Sequence, residues 1–160
     1  MRLAAGEADW HAVRSLIEAY LASLGFDIGF QGLDPELAHP AASYGPPAGA
    51  ALLAFRGPGH GAGAVDPVGF TGVRPLGHGA DGELKRMYVE PAARGLGLGR
   101  ALGTAAIGEA RRLGYRRLLL DSRRSLVAAC ALYRDLGFVE IDAYRHNPFD
   151  DAVFLALDLR

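Results

Sequence analysis

Between Glu83 and Leu102 the chain reads ELKRMYVEPAARGLGLGRAL, and the order of residue types leaves few choices of local structure. Met87, Tyr88 and Val89 favour an extended strand, and Pro91, which cannot donate to a strand ladder, ends it. Arg94 follows, then glycines at 95, 97 and 99. From Leu98 an apolar repeat of helical spacing runs through Leu102, Ala105, Ala106, Ala110 and Leu113. The stretch is therefore strand, short loop, glycine-rich turn and helix. The first turn of a helix presents backbone N–H groups without partners at the positive end of the macrodipole. Glycines at alternate positions let an anion approach that backbone closely, and Arg94 and Arg100 bring donors suited to phosphate. Three alternating glycines between two arginines fit a bound pyrophosphate better than a tight turn alone.

The kind of phosphate ligand is narrowed by what is missing. A nucleotide-triphosphatase loop ends in Gly-Lys-Ser/Thr, whereas this one ends in Gly99-Arg100-Ala101. A dinucleotide fold competes: Gly97, Gly99 and Gly103 approach the Gly-x-Gly spacing, and Asp121, closing Leu118-Leu119-Leu120-Asp121, lies where a ribose partner would. Against it, the glycines do not follow the strand directly, and the strand carries Glu83, Lys85 and Arg86. Too little chain remains for a second nucleotide-binding half.

Two motifs carry a family resemblance. Arg94-Gly95-Leu96-Gly97-Leu98-Gly99 resembles the Arg/Gln-x-x-Gly-x-Gly/Ala pattern of the GNAT superfamily, acyltransferases that use acetyl-CoA. Ala129-Cys130-Ala131-Leu132-Tyr133-Arg134-Asp135-Leu136-Gly137-Phe138 resembles the family's second fingerprint, a tyrosine-bearing helix that stops at Leu-Gly-Phe. One helix and one strand separate them, as in the family, and the resemblance extends from Met1 to Arg160 as one N-acetyltransferase domain. It implies an α/β fold with a mixed, mostly antiparallel sheet of about seven strands and helices on both faces. It also implies transfer of an acetyl group from acetyl-CoA to the primary amine of a small molecule, by direct attack on the thioester. A non-catalytic acyl-CoA-sensing module of the same fold is the alternative.

The same resemblance distributes roles. Met87, Tyr88 and Val89 occupy the strand beside which the thioester lies, and Arg94 to Arg100, including Leu96 and Leu98, surround the diphosphate. Where the family often has a cofactor-bonding asparagine, this chain has Leu126, and Ser122 or Ser125 is the substitute. Tyr133 matches the tyrosine that protonates the leaving sulfur; a core residue whose hydroxyl meets a carbonyl is the plainer account. Glu83 stands where several members place a carboxylate base, and pairing with Lys85 or Arg86 at a strand edge stands beside that reading. Strand parity sets Glu83, Lys85, Met87 and Val89 against Leu84, Arg86 and Tyr88, unless a bulge intervenes. Arg86, if it points into the acceptor pocket, would favour an amine that bears a carboxylate, such as an amino acid.

The rest of the chain frames these motifs. Arg2–Ala5 reads as a short strand. A helix begins at Ala8, with Trp10, Val13, Leu16, Ile17, Tyr20, Leu21 and Leu24 on one face and Gly25 as its stop. Residues 25–49 lose periodicity except for one helical turn at Asp34–Leu37, a segment resembling the family's acceptor cover. Phe30, Gln31 and Tyr44 are its candidate acceptor contacts, with pinning of the loop by its aromatics as the alternative. Strands follow at 49–56 and 67–74, with a turn at Gly57–Ala64 between them, then at 115–121, 138–141 and 152–159. Helices end at Gly114 and at Gly137. The net charge of −1 and dispersed basic residues argue against nucleic acid. No apolar run approaches the ~20 residues that span a membrane, and no secretory signal opens the chain, so a cytoplasmic protein is expected. Cys130 falls among apolar helix positions as a small hydrophobe. The five histidines, His60 and His78 among them, form no metal-spaced group, so no metal is expected. The sequence leaves a homodimer open.

Overall fold

The computed structural model describes residues 1–56, 66–77 and 79–160; the turn read at Gly57–Ala64, with His60, and the loop residue His78 lie outside the described residues. Its strands are β1 (Arg2–Leu3), β2 (Ala50–Phe55), β3 (Pro67–Pro75), β4 (Asp81–Val89), β5 (Arg117–Arg123), β6 (Val139–Ile141) and β7 (Ala152–Asp158). Its helices are α1 (Glu7–Leu24), α2 (Leu33–Ala38), α3 (Pro40–Tyr44), α4 (Leu98–Arg112) and α5 (Val127–Asp135). The seven strands form one sheet in the order β1-β2-β3-β4-β5-β7-β6. Every neighbouring pair is antiparallel except β4 and β5. The parallel pair follows from the sequence, because α4 carries the chain back across the sheet before β5 begins.

Alternation along the strands feeds two cores. Leu52, Val73, Leu84, Leu118 and Leu155 pack with Leu102, Ala106 and Ala110 of α4 and with Cys130 and Tyr133 of α5. On the opposite face, Leu53, Phe70 and Tyr88 pack with Val13, Leu16 and Ile17 of α1 and with Tyr44. The mixed sheet with helices on both faces, expected from the motifs, is the fold observed.

Two features of this frame decide where the site falls. The first is a bulge in β4. Tyr88 pairs with Phe70 but Lys85 pairs with Gly72, so β4 holds one residue more than β3 there, and Arg86 takes φ 57°. The bulge restarts the alternation: Leu84 shares a core with Met87 and Val89, while Tyr88 joins the other. The second is a parting of β4 from β5. They pair only over Asp81–Glu83 and Arg117–Leu119. Beyond this, β4 stays on β3 as far as Val89 and β5 stays on β7 as far as Arg123. A cleft opens between them.

The segment that lacked periodicity is more ordered than its sequence pattern. It forms a 3₁₀ turn at Gly29–Gln31, then α2, then α3. Such short helices are not stable alone, so tertiary contacts must hold them. Glu36 on α2 and Tyr44 on α3 supply these contacts inside the fold, and the Tyr44 ring lies over Gly72, where an added Cβ would come within 2.3 Å of it.

Candidate active site

The cleft between β4 and β5 encloses about 80 Å³. Leu84, Lys85 and Met87 line it from β4, and Leu120, Asp121 and Arg123 line it from β5. Tyr133 of α5 reaches it from one side, and Gln31, Phe26 and Phe149 close it from the other.

A hydrogen-bonded network forms its polar floor. Lys85 Nζ donates to Gln31 Oε1 at 2.8 Å and to Asp121 Oδ1 at 3.3 Å. The second oxygen of Asp121 accepts from Gln31 Nε2 at 3.2 Å and from Asn147 Nδ2 at 3.0 Å. Gln31 Oε1 also accepts from Arg86 Nη1 at 2.7 Å, so one amide ties both cations to Asp121. Burial pulls the Lys85 ammonium down to about 8; Asp121 opposes this shift, and Arg86 and Arg74 add to it.

Behind that floor lies a second ion pair. Arg86 donates through Nε to Glu36 Oε1 at 2.9 Å and through Nη2 to Glu36 Oε2 at 2.8 Å. Tyr44 adds a hydroxyl donor to Glu36 at 2.6 Å. Burial by itself would raise the Glu36 carboxyl, but the hydrogen bonds and charge of Arg86 outweigh it and hold the group below the usual range. Arg86 therefore reaches the cleft wall with its guanidinium already engaged. Tyr44 is wholly buried and does not line the cleft. Together the two residues anchor α2 and α3 to the bulge, and Arg86 still lines the cleft.

Glu83 is only 1% exposed and does not line the cleft. Arg74 Nε donates to one of its oxygens at 2.9 Å, and the Tyr144 hydroxyl donates to the other at 3.3 Å. Arg145 binds that second oxygen too, and Lys85 Nζ stands 3.6 Å from it. The pairing foreseen with Lys85 is present, and two arginines join it. Phe30 is exposed and sets its ring edge against Phe149, 5.9 Å between centroids, outside the cleft lining.

Tyr133 is buried against Phe138, with ring centroids 6.0 Å apart, and burial raises its phenol well above the ordinary value. Among the described residues its hydroxyl has no hydrogen-bond partner, and the ring lines the cleft. Ser122 also lines it, whereas Ser125 is turned to Asp151, which accepts from its backbone N–H at 3.2 Å. α5 starts after Leu126 with no side-chain cap.

The glycine loop stands at the mouth of the parted strands. Gly95 and Gly97 take φ 77° and 75°, a left-handed backbone that favours glycine. Gly97 caps α4, no side chain caps it, and the first amide bonded back into the helix is that of Ala101, to Gly97. The amides of Leu98, Gly99 and Arg100 thus remain available to an anion. A Cβ at Gly95 or Gly97 would meet nothing within 4 Å, so the space beside the loop there is open. Arg94 donates to the Val89 carbonyl at 3.0 Å, and Arg100 pairs with Asp135 at 2.7 Å, both near the surface. Leu96 is exposed at the loop's crest. Met87, Tyr88 and Val89 diverge: Met87 lines the cleft, Tyr88 is buried on the opposite face, and Val89 packs below α4.

Sequence reasoning did not single out Lys85, Asn147, Phe26 or Arg123 as site residues. Arg123 has a built setting. Its guanidinium lies 4.5 Å from the Phe26 ring centroid and 4.3 Å from that of Phe149, and its Nε donates to Asp151 at 2.7 Å. Among the described residues its terminal nitrogens have no partner. A usable signal was the run Leu118–Asp121, an apolar strand whose polar end falls at the carboxyl edge of a parallel pair, where α/β folds bind ligands.

Comparison with known proteins bears on the family and the fold. Residues 15–138 match the model of the acetyltransferase (GNAT) family. An uncharacterised N-acetyltransferase of Schizosaccharomyces pombe is 38% identical over 146 residues, covering 91% of this chain and 86% of that protein. A GNAT-family acetyltransferase from Staphylococcus aureus superposes with a TM-score of 0.76 at 20% identity, covering 99% of each chain. The Salmonella typhimurium protein yncA, solved with its cofactor acetyl-CoA, superposes with a TM-score of 0.66 at 22% identity, covering 100% of this chain and 95% of that one.

Proposed function

Because the chain belongs to the acetyltransferase (GNAT) family, an acyl-CoA-dependent class of enzyme that uses acetyl-CoA, we propose that its acceptor is the primary amine of a small molecule that also carries a carboxylate. The observation that carries this reading is Arg123, a guanidinium held by Asp151 and packed against the Phe26 and Phe149 rings at the cleft, whose terminal nitrogens have no partner among the described residues. A planar fork so held suits a carboxylate. The small enclosed volume favours a compact acceptor over a protein surface. Acetyl-CoA brings the activated acetyl thioester. The chain's own part is to hold the diphosphate at the α4 amides, to place the amine between β4 and β5, and to manage its protons.

The test is release of CoA from acetyl-CoA across a panel of matched amines, each with its carboxylate free, amidated or absent. The free acids are expected to exceed their amides by about tenfold or more in kcat/KM, as a charged hydrogen-bonded contact worth roughly 1.5–3 kcal/mol requires. Equal rates across each set would remove the carboxylate from the description.

The glycine loop gives a separate prediction. Gly97→Val puts a branched side chain into a left-handed backbone, where strain is about 1–2 kcal/mol, and so distorts the turn whose amides are proposed to hold the diphosphate. Calorimetry with acetyl-CoA is expected to show affinity reduced about tenfold or more. Undiminished affinity would place the diphosphate elsewhere.

A further inference from the structure

The chain contains 17 lysines and arginines, and Lys85 is the only lysine. That one lysine is 4% exposed, on the wall of the acceptor cleft. The difference is chemical, because a guanidinium stays protonated at any working pH whereas a buried ammonium is able to give up its proton. Amine acetylation needs such a group, since a protonated ammonium has no lone pair with which to attack.

The other candidates in reach are already committed. Both oxygens of Glu83 are bound by arginines, and the side chain lies off the cleft. Both oxygens of Asp121 are engaged too, since they accept from Lys85, Gln31 and Asn147. We infer that Lys85 Nζ takes the proton from the acceptor's ammonium, an inference that rests on the amine-acetylation reading above.

The step balances as follows. The acceptor enters as an ammonium beside Lys85 in its free-amine form, and one proton passes from the acceptor nitrogen to the Lys85 lone pair. Gln31 Oε1 and Asp121 Oδ1 receive the resulting Lys85 ammonium, since both already accept from Nζ. The freed lone pair forms the N–C bond to the acetyl carbon as the C–S bond breaks. A second proton from the acceptor nitrogen ends on the departing sulfur. Lys85 then loses its proton to water before the next turnover. Each turnover yields one amide, one thiol and one proton in solution.

The charges around Nζ set the pH at which this works. Asp121 from β5 and Glu83 from β4 favour the ammonium, while Arg86 from the bulge, Arg74 from β3 and burial disfavour it, and the balance falls at about 8. Arg145 binds the Glu83 oxygen nearest Nζ and weakens that carboxylate's hold. The Lys85 value is depressed, so the free amine grows as pH rises through about 8, and kcat/KM is expected to climb over the same range.

A sole lysine makes the direct measurement simple. Enzyme labelled with lysine carrying ¹³C at Cε has a single lysine side-chain signal, and its titration is expected to have a midpoint near pH 8. A midpoint near the ordinary lysine value of about 10.4 overturns the proposal, and this experiment needs no variant. Lys85→Arg keeps the positive charge and the donors but accepts no proton. It is expected to lower kcat/KM about a hundredfold or more and to abolish the rise near pH 8, with acetyl-CoA affinity measured by calorimetry within about twofold of wild type. Wild-type turnover in Lys85→Arg, with an unchanged pH profile, also overturns it. A wild-type enzyme that binds acetyl-CoA but releases no CoA with any amine removes the amine-acetylation reading, and the proton-acceptor role goes with it. A wild-type enzyme that turns over alongside an equally active Lys85→Arg removes Lys85 alone.

Discussion

Arg86→Met is expected to destabilise the fold by about 3–5 kcal/mol, because it leaves the Glu36 carboxylate buried without its cation. Both partners are almost entirely withdrawn from solvent, and two hydrogen bonds join them. Methionine matches much of the apolar stem and, like arginine, would hold the left-handed backbone of the bulge, so strain nearly cancels between variant and wild type. What remains is the desolvated charge. The pH dependence follows from its sign. In wild type the Glu36 carboxyl is held below its ordinary value, so its contribution is present above the unfolded value and lost as pH falls through the folded one. In the variant, burial without Arg86 raises the same group, so the gap in stability between the two proteins is widest near neutral pH, starts to narrow as pH falls through the variant's raised value, above the ordinary carboxylate range, and closes only below the lowered value of wild type. Adding Glu36→Gln to Arg86→Met removes the orphaned charge while keeping an acceptor for the Tyr44 hydroxyl, and is expected to recover most of the loss. Denaturant unfolding of the three proteins reads all of this. An Arg86→Met protein within about 1 kcal/mol of wild type, or no recovery in the double variant, would show that the pair does not anchor α2.

The same pair explains what was legible in the sequence and what was not. The glycine loop, β4 before it and α4 after it were readable because their signals are local: a proline that stops a ladder, glycines at left-handed positions, and an apolar repeat of 3.6. α2 and α3 were largely hidden because their stability comes from Arg86, 50 residues along the chain from Glu36, and from the space that Gly72 leaves for the Tyr44 ring. The floor of the site was hidden for a related reason. Lys85 and Asp121 meet only because β4 and β5 pair for three residues and then part, and the bulge at Arg86 restarts the alternation there. Simple parity placed Lys85 with Met87. The extra residue separates them in the sheet and leaves both on the cleft. Gln31 was singled out from its segment alone and does line the cleft, but its two-sided role, accepting from Lys85 and Arg86 while donating to Asp121, needed the fold.

Tyr133→Phe is expected to lower kcat by roughly ten- to a thousandfold, on the proposal that its phenol donates to the leaving sulfur. Tyr133 packs in the core and lines the cleft, and its hydroxyl has no partner among the described residues. Burial holds the phenol protonated at every working pH, so it is a donor throughout the range in which Lys85 titrates. That same shift limits what it contributes. Full transfer from a phenol so far above its ordinary value to a thiolate is uphill, so its help is a hydrogen bond to sulfur as charge develops, with water able to take over part of it. The effect therefore belongs toward the lower half of the stated range. Stability separates this from packing. Phenylalanine keeps the edge contact with Phe138 and orphans no partner of the hydroxyl, so unfolding free energy should change by no more than about 0.5 kcal/mol. The rise of kcat/KM near pH 8 should survive in the variant, because it belongs to Lys85. Full turnover in Tyr133→Phe would take the hydroxyl out of the reaction. A drop in stability beyond about 1 kcal/mol would instead point to an unseen partner of the hydroxyl.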